Sequence, residues 1–306
     1  MTPIIGSAIF DEENKLGISI FDREKRILET FFLDKNKYED IQKFNNFSAY
    51  CSAKGALYIS GGEGNDDLEN DNMAELFGNF ICIDLTKFDN ENILNEENNV
   101  IIKKLPNLNV ERSWHSMIFI PNKYIFIVGG VYTKQVEKYD IDKNEIKIDS
   151  ELKEKRCEPS LCLVNNYYLY AFCGFEAFDD FKNNIERCNL LKKKREWEVI
   201  ILSNDIIASF FGISFYKDNE ILLISSKDYV DDDNKNYKVK IGNDEDIPDE
   251  IQETVLQYNG VRTFKDKLFY PMFDNFCVNI PMNVGKNKTV LILDANTGNI
   301  ECQDYK

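Results

Sequence analysis

Five times along this chain a short apolar run reaches the same kind of junction: residues 57–62 (LYISGG), 125–130 (IFIVGG), 169–174 (LYAFCG), 221–226 (ILLISS) and 268–273 (LFYPMF). Their first residues, 57, 125, 169, 221 and 268, lie 68, 44, 52 and 47 positions apart. A unit recurring at about 50 residues marks a repeat architecture, in which each copy is one supersecondary element that buries its apolar face only against its neighbours. This restricts the fold more than any composition does.

Each run is preceded by another apolar strand, at 47–51, 114–119, 160–164, 211–215 and 261–264, joined to it by a short polar turn such as Lys217-Asp218-Asn219. A third alternating run and a fourth follow, most plainly at 136–139 and 145–148 around the turn 140–144, and again at 292–294 and 299–304. The N-terminus carries a shorter copy, with runs at 4–10, 16–21 and 26–33, so that three strands are expected there. The expectation is an all-β, six-bladed β-propeller of four-stranded antiparallel blades in one domain over 1–306, with blades near 1–40, 41–108, 109–155, 156–204, 205–256 and 257–306. A sandwich or a seven-bladed ring with one degenerate blade is the alternative, because alternation alone does not fix the number.

Residues 109–155 carry the fullest motif: Arg112-Ser113-Trp114-His115, then Gly129-Gly130, then Tyr139-Asp140. This resembles a Kelch repeat, whose pattern sets an Arg and often a His before the first strand, a diglycine at the end of the second and a Tyr on the third. The resemblance implies that His115 and Tyr139 serve the framework, the aromatic packing between blades. Paired glycines let the chain leave a crowded inner strand at positive φ without a Cβ clash. Other units match in part. Residues 41–108 keep Gly61-Gly62 without the Arg and His; residues 156–204 keep Arg156, have Cys173-Gly174 for the diglycine and place Trp197 where Kelch blades favour a fourth-strand Trp. Ser225-Ser226 and Met272-Phe273 take the diglycine place in the last two units.

Net charge is −16, from 53 acidic and 37 basic side chains, which repels phosphate backbones and anionic lipid, so neither nucleic acid nor a membrane is expected as a partner. The first fifteen residues have no basic region followed by an apolar stretch, as a signal peptide would. The eight cysteines form no C-x-x-C pair and mostly lie in apolar runs, as core thiols of a reducing compartment do, against which stand the two sequons at Asn46 and Asn287. A cytoplasmic protein is expected, with cytoskeletal or ciliary complexes compatible.

His115 is the one histidine, which excludes a two-His copper site or a His-rich zinc site, and no cofactor or metal is expected. The acidic segment 63–72 lacks the central Gly and closing Glu of a calcium loop. No G-x-x-x-x-G-K phosphate loop occurs. Lys192–Arg195 falls where a turn between third and fourth strands belongs.

The long connections after the diglycine place, 63–79, 175–184, 227–236 and 274–286, remain as a functional surface. In one of them Phe175, Phe178 and Phe181 alternate with Glu176, Asp179 and Asp180, which suits a basic protein partner: rings supply contact energy and acids steer encounter. The rings equally suit covering the blade. Arg112 and Arg156, in equivalent places, either hold an acidic partner group or bond to neighbouring blade carbonyls. The expected function is a non-catalytic protein-protein interaction module, a scaffold or adaptor subunit. The alternative is a metal-independent enzyme, a sugar isomerase or lyase, with carboxylates and Arg in the central depression.

Overall fold

The structure, a computed structural model, describes residues 4–12, 14–22, 27–44, 47–64, 74–84, 100–120, 123–172, 174–176, 184–200, 212–217, 220–225, 236–240, 250–253, 288–294 and 299–305. These residues are all-β apart from one three-residue 3-10 turn, and every strand pairing among them is antiparallel between neighbours in sequence. The first sheet is β1 (Ile4–Glu12), β2 (Lys15–Asp22) and β3 (Ile27–Asp34). The second is β4 (Ala49–Ala53), β5 (Ala56–Ser60), β6 (Phe80–Asp84) and β7 (Ile102–Lys104). The third is β8 (Ser116–Ile120), β9 (Tyr124–Val128), β10 (Gln135–Asp140) and β11 (Glu145–Glu151), and the fourth β12 (Ser160–Val164), β13 (Tyr168–Phe172), β14 (Ile185–Asn189) and β15 (Trp197–Ile200). Then come β16 (Gly212–Lys217), β17 (Glu220–Ser225), β18 (Asn236–Lys240) and β19 (Glu250–Glu253), and finally the pair β20 (Lys288–Asp294) and β21 (Asn299–Tyr305). The expected runs 261–264 and 268–273 lie outside the described residues.

First strands neighbour one another in chain order: β1 beside β4, β4 beside β8, β8 beside β12, β12 beside β16. The sheets therefore pack in succession, and β5 and β9 each serve two interfaces. In β9, Ile125 and Ile127 join Cys51, Tyr58 and Phe80 of the second sheet. Phe126 and Val128, pointing the other way, join Leu169, Ala171, Cys188 and Trp197 of the fourth. Strict alternation along a strand that is apolar throughout is how one β9 fills two cores. Outward along the sheet the demand falls away, and β11 has only exposed and half-buried residues. Tyr139 meets Phe80 edge to face across the sheet boundary, with centroids 4.9 Å apart. Trp197 is buried and donates from Nε1 to Ser150 Oγ of the third sheet at 3.0 Å.

The second strands stop short of the expected runs, at Ser60, Val128 and Phe172, because the glycines after them turn out of the sheet. Gly129 and Gly130 have φ of +71° and +111°. A Cβ on Gly129 would lie 2.3 Å from the Arg156 carbonyl oxygen, and one on Gly130 would lie 2.7 Å from that of Ser113. The reason for this crowding is a bond between sheets: Gly130 N–H donates to Arg156 O at 2.8 Å, as Gly62 N–H donates to Arg112 O at 3.0 Å.

Each arginine whose carbonyl is held in this way is also fixed through its side chain. Arg112 is fully buried and donates to Gly129 O (2.9 Å), Gln135 O (2.8 Å), Val110 O (3.2 Å) and Glu137 Oε1 (2.7 Å). Glu137 in turn accepts from the Asn109 N–H at 2.8 Å, the Asn109 side-chain amide at 2.7 Å and the Val110 N–H at 3.1 Å. The fourth sheet repeats the arrangement. Arg156 pairs with Glu186 at 3.0 Å and donates to Asn184 O at 3.1 Å, while Glu186 accepts from the N–H groups of Lys153 and Glu154 at 2.6 and 3.0 Å. In both sheets the carboxylate grips the backbone three and two residues before the arginine.

Substituting Gly129→Ala adds left-handed strain to a backbone collision and is expected to lower stability by about 2–4 kcal/mol in urea unfolding. Glu137→Ala strands a buried guanidinium and removes the acceptor of two backbone N–H groups, for an expected loss of about 3–5 kcal/mol. Glu145→Gln, at the exposed pair with Lys147, is expected to leave the unfolding midpoint unmoved.

Candidate functional site

The loop leading into each first strand and the turn after each diglycine meet at one end of the sheets. Their side chains occupy three sets of repeat-equivalent positions. The first is Phe47, Trp114 and Glu158, linked by backbone bonds that step from sheet to sheet: Trp114 N–H to Phe47 O at 3.0 Å and Glu158 N–H to Trp114 O at 2.6 Å. The second set directly follows the diglycine place: Glu63, Val131 and Phe175. The third comes one residue later: Gly64, Tyr132 and Glu176.

Chemistry differs within each set although the backbone repeats. Trp114 stacks on Phe47 with centroids 4.7 Å apart and meets Phe175 edge to face at 5.6 Å. Cys157 and Val131 complete this apolar cluster. Glu63 Oε2 accepts from Ser113 Oγ and from Trp114 Nε1 at 3.1 Å, which sets a carboxylate against the aromatic group. Trp114 and Glu158 both sit in the left-handed region, with φ of +54° and +49°, a conformation that costs about 1–3 kcal/mol for such residues. Burial, with the charges of Glu158 and Glu63 adding to it, pushes the Cys157 thiol up to about 12, so it is not a thiolate at neutral pH.

The two arginines singled out in the sequence, Arg112 and Arg156, point inward to carboxylates and carbonyls of their own sheets. Burial pulls the Arg112 guanidinium down from its ordinary value, against the Glu137 carboxylate, which raises it. Phe175 is 8% exposed, so its ring covers the sheet. Phe178, Phe181, Asp179 and Asp180 lie outside the described residues. Gly61, Gly62, Gly129, Gly130 and Gly174 all have positive φ. Among the described residues no group of three His, Cys, Asp or Glu side chains is placed to hold a metal ion, and no helix is long and apolar enough to cross a membrane.

Sequence reasoning passed over Glu137 and Glu186, whose signal is the repeated apolar-Glu-basic step Val136-Glu137-Lys138 and Ile185-Glu186-Arg187. It also passed over Trp114, Glu63, Glu158 and Tyr132 as a group, since only the aligned sheets bring their three repeat positions to one end.

No family model matches the chain, and no curated protein matches it. Among solved structures, one described as the structure of YjhT is similar over 72% of this chain and 72% of its own, with a TM-score of 0.48 and 10% identity.

His115 is buried beneath this face, its Nε2 2.8 Å from Ser60 Oγ. The Ser60 hydroxyl also lies 3.0 Å from the Met117 sulfur, and His115 Nδ1 has no hydrogen-bond partner. Burial first, and the Arg112 charge second, hold the ring well below its ordinary value of 6.5. The unfolded chain therefore takes up a proton on this ring below about pH 6.5 that the folded chain refuses, and stability declines as pH falls, by up to about 1.4 kcal/mol per unit. His115→Gln is expected to show a flatter stability profile than the native chain between pH 6.5 and 5, read by urea unfolding at each pH.

Proposed function

We propose that the chain is a six-bladed, Kelch-like β-propeller that acts as a non-catalytic protein-interaction module, a scaffold or adaptor whose partner docks on the face of the diglycine turns. Six sheets among the described residues, joined first strand to first strand over the first five, support the ring. The observation that carries the functional reading is the contrast between framework and face. Arginine, glutamate and diglycine recur with the same bonds, whereas Phe47, Trp114 and Glu158, or Glu63, Val131 and Phe175, share a backbone position and differ in chemistry. A repeat fold uses such positions to make a surface particular to one partner, because substitutions there leave the ring intact. Acidic side chains beside aromatic ones on this face, in a chain of net charge −16, favour a basic partner. Cys51, Cys82, Cys157, Cys162 and Cys188 are free thiols, four of them buried, which suits a cytoplasmic setting.

Affinity purification of the tagged chain from its native source, read by mass spectrometry, is expected to recover a stoichiometric protein partner. The combined variant Glu176→Gln, Phe178→Ala, Phe181→Ala is expected to lose it while keeping the native unfolding midpoint. A partner-free monomer that binds a sugar instead would overturn the reading.

A further inference from the structure

Tyr132 carries two features that folding does not call for. It occupies the third position of the turn closed by the Thr133 N–H to Gly130 O bond at 3.3 Å, with φ of +61°, where glycine or asparagine is favoured and an aromatic residue is strained. The residue is also 65% exposed. Among the three repeat-equivalent residues, Gly64 and Glu176 avoid positive φ, so the strain belongs to this turn alone. Trp114, the other aromatic residue held in the left-handed region, is buried at 7% exposure and gains stacking and a hydrogen bond in return.

The surroundings show what an exposed ring here would meet. Val131, next to it, packs on Trp114, Cys157 and Phe175, and these bring Glu63, Glu158 and Glu176 to the same face. Lys134 donates to Lys153 O at 2.6 Å, and Lys155 lies 3.8 Å from Glu176. An aromatic face set among carboxylates attracts a cation both through its quadrupole and through the surrounding field.

We propose that Tyr132 is the anchor of a docking surface for a basic peptide segment of the partner, its ring receiving a lysine or arginine side chain while Glu63, Glu158 and Glu176 supply the attracting field. This rests on the interaction-module reading and adds to it the chemistry and the centre of the contact. The charge of the chain argues for that occupant: at −16 it draws in basic segments from a distance and repels acidic ones.

The test uses the full chain and fluorescein-labelled hexa-arginine and hexa-glutamate as probes, followed by fluorescence anisotropy at low salt and at 0.5 M salt. Hexa-arginine is expected to bind and hexa-glutamate not to. Tyr132→Asn, which suits the left-handed turn, is expected to keep or slightly raise the Tm while weakening hexa-arginine about five-fold, a loss of the size expected for one cation held by one ring. Glu176→Gln is expected to weaken it less, and high salt to remove most of the binding. Absence of hexa-arginine binding, equal affinity in the Tyr132→Asn variant, or a fall in that variant's Tm would each overturn the proposal. If a protein partner co-purifies and is retained by Tyr132→Asn, the proposal fails and the interaction-module reading stands; if none co-purifies, that reading itself has failed.

Discussion

A buried arginine held at both ends joins one sheet to the next in this chain. The Arg112 carbonyl accepts from Gly62 of the preceding sheet, while its guanidinium bonds Gly129, Gln135 and Glu137 of its own. Arg156 repeats this between the third and fourth sheets. The glycines follow from it, because only a residue without a Cβ brings the backbone of one sheet so close to a carbonyl of another. The leading loop follows too, since the carboxylate that neutralises the arginine also satisfies the N–H groups of the residues just before it. One charge pair thereby fixes the seam, the approach of the chain and the turn that leaves the second strand.

A buried ion pair is weak evidence for net stability, since desolvation opposes the Coulomb attraction. The second sheet makes the point within the same molecule. Ile81 stands opposite Ile59, as Glu137 stands opposite Ile127 and Glu186 opposite Ala171. It is buried in an apolar cluster with Phe44 and Leu57, in a unit that lacks the motif arginine. A hydrophobic contact does there what the ion pair does in its neighbours. The decay of the motif from unit to unit has this physical basis: the seam needs a filled, satisfied interior and accepts more than one chemistry for it.

The strands were legible in the sequence because their signals are local. Alternation, polar turns and diglycine each act within a few residues, and β12 falls on the expected run at both ends. Gly61 and Gly129 were legible as strand exits for the same reason. Glu137 and Glu186 were not, since 53 acidic residues hide two, and their role appears only when the third strand is set beside the loop that precedes the first. The side on which Phe175 lies depends on Trp114, 61 positions earlier (175 − 114), and no local pattern contains that. Tyr132 escaped notice because strain is a property of the backbone and not of the letter.

Each seam has a direction. The N–H groups of Gly62 and Gly130 find their acceptors only in the unit that follows, at Arg112 and Arg156. A chain emerging from the ribosome therefore cannot finish a sheet with that sheet's own residues; it must wait for 50 more at the first seam (112 − 62) and 26 at the second (156 − 130) before the turn after the second strand is pinned. Until then the crowded glycines have no neighbour to crowd against. At these two seams completion runs one repeat behind synthesis.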